Sequence, residues 1–450
     1  MLGESELKNL ADRALALSQA EQTEVVIFAP HSSLTRFANS YIHQNVEQQD
    51  VDIRVRAVVG KKIGVASSND HSDEGLRAVV GRALALARHQ QDNSDFQSLP
   101  APRPVRRIDA FVERTARTGP EERAAVVGQI CDAATKAGLT AAGAFRTSTA
   151  EVAVANSLGV FAYHRDTMTD INTVVMGEQG SGHAERVSTD VGDIDAAEVA
   201  KEAIDTALRN VNQIDLAPGE YDVVFKEYAV ADILDFFAYL SFGAQAYQEK
   251  RSFMAGRMGE RVMGEQITMW DDGLASNTVP NPFDFEGVPK ERVTFIDQGV
   301  ARDVVWDSYT AGKESPDGQT RESTGHALPA GSTFGPVPSN MFLGTGDATL
   351  DEMVASTRRG VYVSRFWYTR TVHPLNVVVT GMTRDGTFLI KDGKMTAPIK
   401  NLRFTQSYLE AMNRVEAIGK TATLHRAIAG VSRAPALKIS GWHFTGASEY

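Results

Sequence analysis

A single cysteine, Cys131, stands among 450 residues. One thiol excludes an intramolecular disulfide and any all-cysteine structural zinc site, and it fits a reducing compartment, so a cytoplasmic location is the expectation. Long apolar runs are missing as well: nothing approaches the roughly 18 to 20 uninterrupted apolar residues of a membrane-spanning helix. The start, MLGESELKNLADRALALSQAEQ, is acidic where a secretory signal is basic, and its leucines are spaced for a helix face, so no export signal is expected. Positive charge is in deficit. With 46 Lys and Arg against 57 Asp and Glu the formal charge is −11, which disfavours phosphate backbones and anionic lipid. Neither nucleic acid nor membrane is an expected partner. Arg103, Arg106 and Arg107 cluster between prolines and read as a solvated linker.

What is present is ordinary globular composition at a length suited to two or three domains. Leu7, Leu10, Ala14 and Leu17 recur at helical steps, after which TEVVIFA, the alternating Val51 to Val59, and KKIGVASS read as strands. Ser72 caps a helix running towards His89. Gln91 to Arg107 carries polar residues and prolines and reads as an extended connector. Pro120 opens a second helix with Val127, Ile130, Cys131 and Ala134 on one face. Strands at 141–147, 151–155 and 170–176 follow, then a helix from about Ala196 to Arg209. Helix, strands, helix is thus laid down twice, which predicts an N-terminal α+β domain over 1–215. Pro218-Gly219 opens a second domain, 216–450, with a long helix at its start (Tyr228 to Gln248) and antiparallel β-sheet beyond it. Gln298-Gly299, Asp385-Gly386 and Asp392-Gly393 read as hairpin turns, and Thr405 to Ala417 as a helix. The fold class is α+β.

Recognisable chemistry is scarce. HExxH, HExxxH, CxxC, a Walker A loop, the GxSxG elbow and an EF-hand loop are all absent. His183 and Glu185 in SGHAER read as a solvated turn. His326, in the glycine-bearing loop RESTGHALPAG, and His373, before Pro374, are candidates to line a cleft as donor or general base. Asp232 and Asp235 share a helix face and read as a wet acidic pair.

The run NPFDFEGVPKERVTFIDQGVARDVVWDSYTAGK, Asn281 to Lys313, followed by ESTGHALP and NLRFTQSYLEAMNRVEAIG, resembles the TldD/PmbA family, once called modulators of DNA gyrase, and within it the PmbA (TldE) branch. The motif is carried by Phe283, Asp284, Glu286, Gly287, Val288 and Arg292, with Ser308 and Tyr309 after the hairpin. The resemblance implies a two-subunit protease acting on unfolded or extended peptides. It also implies that the TldD-type chain binds zinc through HExxxH on the first long helix of its second domain and a cysteine near its C-terminus. Here the corresponding positions are Asp235, Phe236 and Leu240. Phenyl and isobutyl groups have no lone pair, no thiol follows Cys131, and no histidine lies between His183 and His326.

Two functions then follow as expectations. In the first, the chain is a PmbA/TldE-type subunit without a zinc site of its own, paired with a zinc-binding TldD-type chain and forming a wall of the peptide cleft. In the second it is itself a peptidase, as a homodimer, with an unrecognised catalytic set drawn from Glu286, His326 and His373. Direct regulation of gyrase or DNA fits poorly with the negative charge.

Overall fold

The computed structural model describes residues 1–313 and 318–447. Its first sheet has seven strands. Lys62–Ser68, Asp52–Val59, Gln22–Ala38, Thr140–Asn156, Phe161–Met176 and Ser181–Ser188 lie side by side in that order, and Tyr41–Gln49 pairs with the far half of Gln22–Ala38. All neighbours are antiparallel. Side chains alternate across a strand, so odd and even positions meet different surroundings. Val25, Ile27, Ile53 and Val55 pack under the helices Glu4–Leu17 and Asp73–His89. Phe37, Phe145, Ile171 and Val175 pack under Pro120–Lys136 and Ala196–Arg209. The even positions Val26 and Val154 instead meet Phe283 of the second domain. One face of this sheet carries four helices; the other docks its neighbour.

The local signals for the helices are where the sequence puts them. The Ser72 side chain accepts from the Gly75 N–H, and Pro120 occupies the first turn of its helix with Glu121 and Glu122. Those groups satisfy or complement the orphan amides and partial positive charge of a helix start.

The second sheet has eleven strands. Five of them close on themselves: Gly219–Phe225 pairs with Arg359–His373, which pairs with Val378–Lys391, then Leu402–Ser407, then Gly430–Ala447, which returns to Gly219–Phe225. Closure removes the sheet edges there. Phe225, Phe366, Phe404 and Trp442 are buried and in ring contact with one another. The helix Glu227–Leu240 packs on this core through Ile233, Leu234 and Phe237. No helix among the described residues is long and apolar enough to cross a membrane.

Four expectations from the sequence are corrected. The helix predicted over Tyr228 to Gln248 stops at Leu240 and resumes as Ala244–Gln248. Between them, the Val305 N–H donates to Phe242 O and the Ala244 N–H to Val305 O, and the Pro336 carbonyl comes so close to Gly243 that a Cβ there would sit 2.3 Å away. The helix predicted over Thr405 to Ala417 is a strand, Leu402–Ser407, a short helix, Tyr408–Met412, and a further strand from Val415. The alternation of Leu402, Phe404 and Gln406 inward sets the strand, and the Ser407 hydroxyl caps the short helix. Asp385-Gly386 is no hairpin turn but lies inside Val378–Lys391, both residues with positive φ of 51° and 122°. The pairing register shifts nearby, between Val363 and Arg365, as at a bulge. SGHAER is the strand Ser181–Ser188, not a solvated turn.

Candidate functional site

A large cavity, about 560 Å³, opens where the edge strand Ser181–Ser188 of the first domain faces Val415–Ala427 and the start of the Glu227 helix. Glu185, Glu202, Lys226, Tyr228, Thr423, His425 and Arg433 line it. Alternation along Ser181–Ser188 turns His183 and Glu185 the same way, towards the second domain. Their side chains meet Tyr228 and His425: the His183 and Tyr228 rings are 5.0 Å apart edge to face, and Glu185 Oε1 lies 2.6 Å from His425 Nδ1. Tyr228, in the first turn of the helix, donates its hydroxyl to Glu202 at 2.7 Å and accepts from the Glu185 N–H. Glu202 also takes Arg186 and Lys226.

Burial sets the protonation states around this junction. It pushes the His183 ring down to about 4, with Arg365 adding to the effect, so the ring is neutral. Burial pushes the Glu185 carboxyl up, but the hydrogen bond with His425 and the Arg365 charge outweigh it and hold the group below the ordinary carboxylate value. Asp232 and Asp235 do not form the wet pair expected. Asp232 accepts from Thr369 Oγ1 at 2.8 Å and Tyr408 OH at 3.1 Å. Burial raises Asp232 to about 6, and burial with the neighbouring Asp232 raises Asp235 to about 7.

The Asp235, Phe236 and Leu240 positions lie on the same helix. Asp235 is partly buried and accepts a long hydrogen bond from the Ile428 N–H at 3.4 Å. Phe236 packs edge to face on Tyr408, and Leu240 is buried. One oxygen donor and two hydrocarbon side chains do not fit a zinc ion. Among the described residues no three or more His, Cys, Asp or Glu side chains are arranged to hold a metal.

Glu286, His326 and His373 share no hydrogen-bond partner. Glu286 binds Arg56 of the first domain at 3.1 Å and the Ser308 N–H at 3.0 Å. His326 is fully enclosed, with Nε2 2.9 Å from Asp271 Oδ1 and Nδ1 2.9 Å from Thr324 Oγ1. Burial and the Lys290 charge push the ring below its usual value, with Asp271 opposing them. His373 is exposed at the end of Arg359–His373. The cluster at the large cavity escaped the sequence reading because its members are far apart in the chain. The available signals were two i, i+2 pairs on strands, His183 with Glu185 and Thr423 with His425.

Two docked sheets, with an acidic and histidine-bearing cavity at their junction, describe a two-domain α+β chain. Models of the PmbA/TldA metallopeptidases match residues 31–87 as domain 1, 114–211 as the central domain and 218–446 as the C-terminal domain. The chain belongs to the TldD/PmbA family. The metalloprotease TldD homolog of Haemophilus influenzae is 26% identical over 237 residues, 52% of this chain and 48% of that protein, so the chain spans about half the length of that relative. Metalloprotease PmbA of Escherichia coli O157:H7 is 22% identical over 425 residues, 88% of each. TldE from Thermococcus kodakarensis superposes with a TM-score of 0.88 at 19% identity, covering 98% of this chain and 100% of that one, a likeness of fold.

Proposed function

We propose that this chain is a PmbA/TldE-type subunit of a peptide-degrading metalloprotease complex, with the zinc and its ligands supplied by a TldD-type partner. The observation that carries this reading is chemical: Phe236 and Leu240 are buried packing groups with no lone pair, at positions the family resemblance equates with metal ligands. The chain's own contribution is to bind, orient and shield. The strand Ser181–Ser188 stands at the edge of its sheet, and with the strand Val415–Ala427 it borders the large cavity. An extended peptide added to such an edge is held by main-chain hydrogen bonds, with little demand on its sequence. Lys226, Arg186 and Arg433 on the wall give the passage charges suited to orienting a peptide terminus.

The test is metal analysis and cleavage of an unfolded polypeptide by the purified chain, alone and mixed with a family chain carrying HExxxH. Chelator-sensitive cleavage only in the mixture is the expected result. Stoichiometric zinc on this chain alone, together with chelator-sensitive cleavage by it alone, overturns the reading.

A further inference from the structure

Thr423 and His425 lie two apart on Val415–Ala427 and so share a strand face. His425 Nε2 is 2.7 Å from Thr423 Oγ1, and its Nδ1 is 2.6 Å from Glu185 Oε1, contributed by the other domain. A carboxylate on Nδ1 fixes the proton there and leaves Nε2 with a lone pair facing the hydroxyl, the division of roles that activates a hydroxyl nucleophile. Burial differs along the relay in the required sense: the imidazole is 2% exposed, while Thr423 is exposed to the large cavity. Tyr228 holds the ring from the side, edge to face at 5.4 Å and 90°. Arg433, on the same cavity wall, donates to the carbonyls of Asn277 and of Ala422, the residue before Thr423. It makes no ion pair among the described residues, so its charge is available to a developing oxyanion.

We propose that Thr423, His425 and Glu185 form a nucleophile, base and orienting carboxylate that carry out metal-independent acyl transfer on esters or amides entering this cavity. Thr423 Oγ1 gives its proton to His425 Nε2 and attacks the acyl carbon, whose carbon–oxygen or carbon–nitrogen bond breaks. The leaving alcohol or amine takes the proton from Nε2, and an acyl-threonine ester remains. Water, deprotonated at Nε2, then attacks that ester and releases the carboxylic acid and the free hydroxyl. Glu185 and Tyr228 are positioning residues. This chemistry goes beyond the partner-subunit reading and stands independently of it, because it needs neither zinc nor a second chain.

The full chain is assayed with p-nitrophenyl acetate and with a fluorophosphonate probe, each with and without EDTA. Stoichiometric phosphonylation of the Thr423 peptide by mass spectrometry, with hydrolysis indifferent to EDTA, is expected. Thr423→Val, isosteric at an exposed site, removes the adduct and lowers turnover about 10³-fold or more, as does His425→Gln. Thr423→Ser retains both. Glu185→Gln lowers the rate and also alters the pH–rate profile, which a merely structural contact would leave in place. An unlabelled wild type, or equal hydrolysis by wild type and a Thr423→Val variant with unchanged circular dichroism, overturns the proposal. Neither result bears on zinc-dependent cleavage in the mixture, which is read separately through its chelator sensitivity.

Discussion

Replacing Arg56 by methionine removes a cation held between two buried carboxylates from different domains. Glu24 is 1% exposed and Glu286 5% exposed. Arg56 bonds both, Glu286 at 3.1 Å. The arrangement is not fully satisfied, since Glu24 Oε1 and Arg56 Nε are buried without a hydrogen-bond partner. Removing one partner of a buried pair leaves uncompensated charge, a loss of about 3–5 kcal/mol. The loss depends on pH in a defined direction. Burial raises the Glu24 carboxyl from 4.5 to about 7, with Arg56 opposing the rise. The folded chain therefore keeps a proton that the unfolded chain releases between those values, and stability falls as pH rises through that window, by about 3 kcal/mol for a shift of this size. Without the guanidinium the proton is held to still higher pH. Arg56→Met is therefore expected to lose about 3–5 kcal/mol at pH 8 and clearly less at pH 5.5, where the Glu24 carboxyl is neutralised. Urea unfolding followed by far-UV circular dichroism measures this; fluorescence is a poorer probe of the first domain, because Trp270, Trp306, Trp367 and Trp442 all lie in the second. A loss under about 1 kcal/mol at pH 8, or the same loss at both pH values, refutes the reasoning.

Phe236→Ala is expected to cost about 3–5 kcal/mol by denaturant titration, because it opens a cavity against Tyr408 in the second domain's core; a change within about 0.5 kcal/mol denies the residue a packing role. Asp271 is held at about 2 because the charges and hydrogen bonds of its partners outweigh its burial. Its partners are His326, Lys290 and the Ser339 and Asn340 amides. A folded pKa below the unfolded one contributes stability that is present above about pH 4 and lost as pH falls towards 2. Asp271→Asn is therefore expected to be destabilised at pH 7 and to show a shallower decline in melting temperature between pH 5 and 3 than the parent.

Much of the local structure was legible in the sequence because its causes are local. Ser72 as a cap, Pro120 in a first turn, and the Gln298-Gly299 and Asp392-Gly393 turns act within a few residues, and each stands where expected. The misread segments had competing local and tertiary causes. SGHAER has the small residues of a turn, yet its alternate positions are buried against a second domain that no window of sequence displays. Asp385-Gly386 has turn chemistry, but the Arg365 guanidinium and the Ser181 hydroxyl bind Asp385 and keep it inside a strand. The candidate site was legible only as an absence. The sequence alone determines that no HExxxH and no thiol beyond Cys131 exist, because donor atoms are a matter of composition. Which groups stand in that region was decided by tertiary structure. Glu185 meets His425 across 240 positions of chain, and only the docking of two sheets brings a carboxylate, an imidazole and a hydroxyl within hydrogen-bond reach.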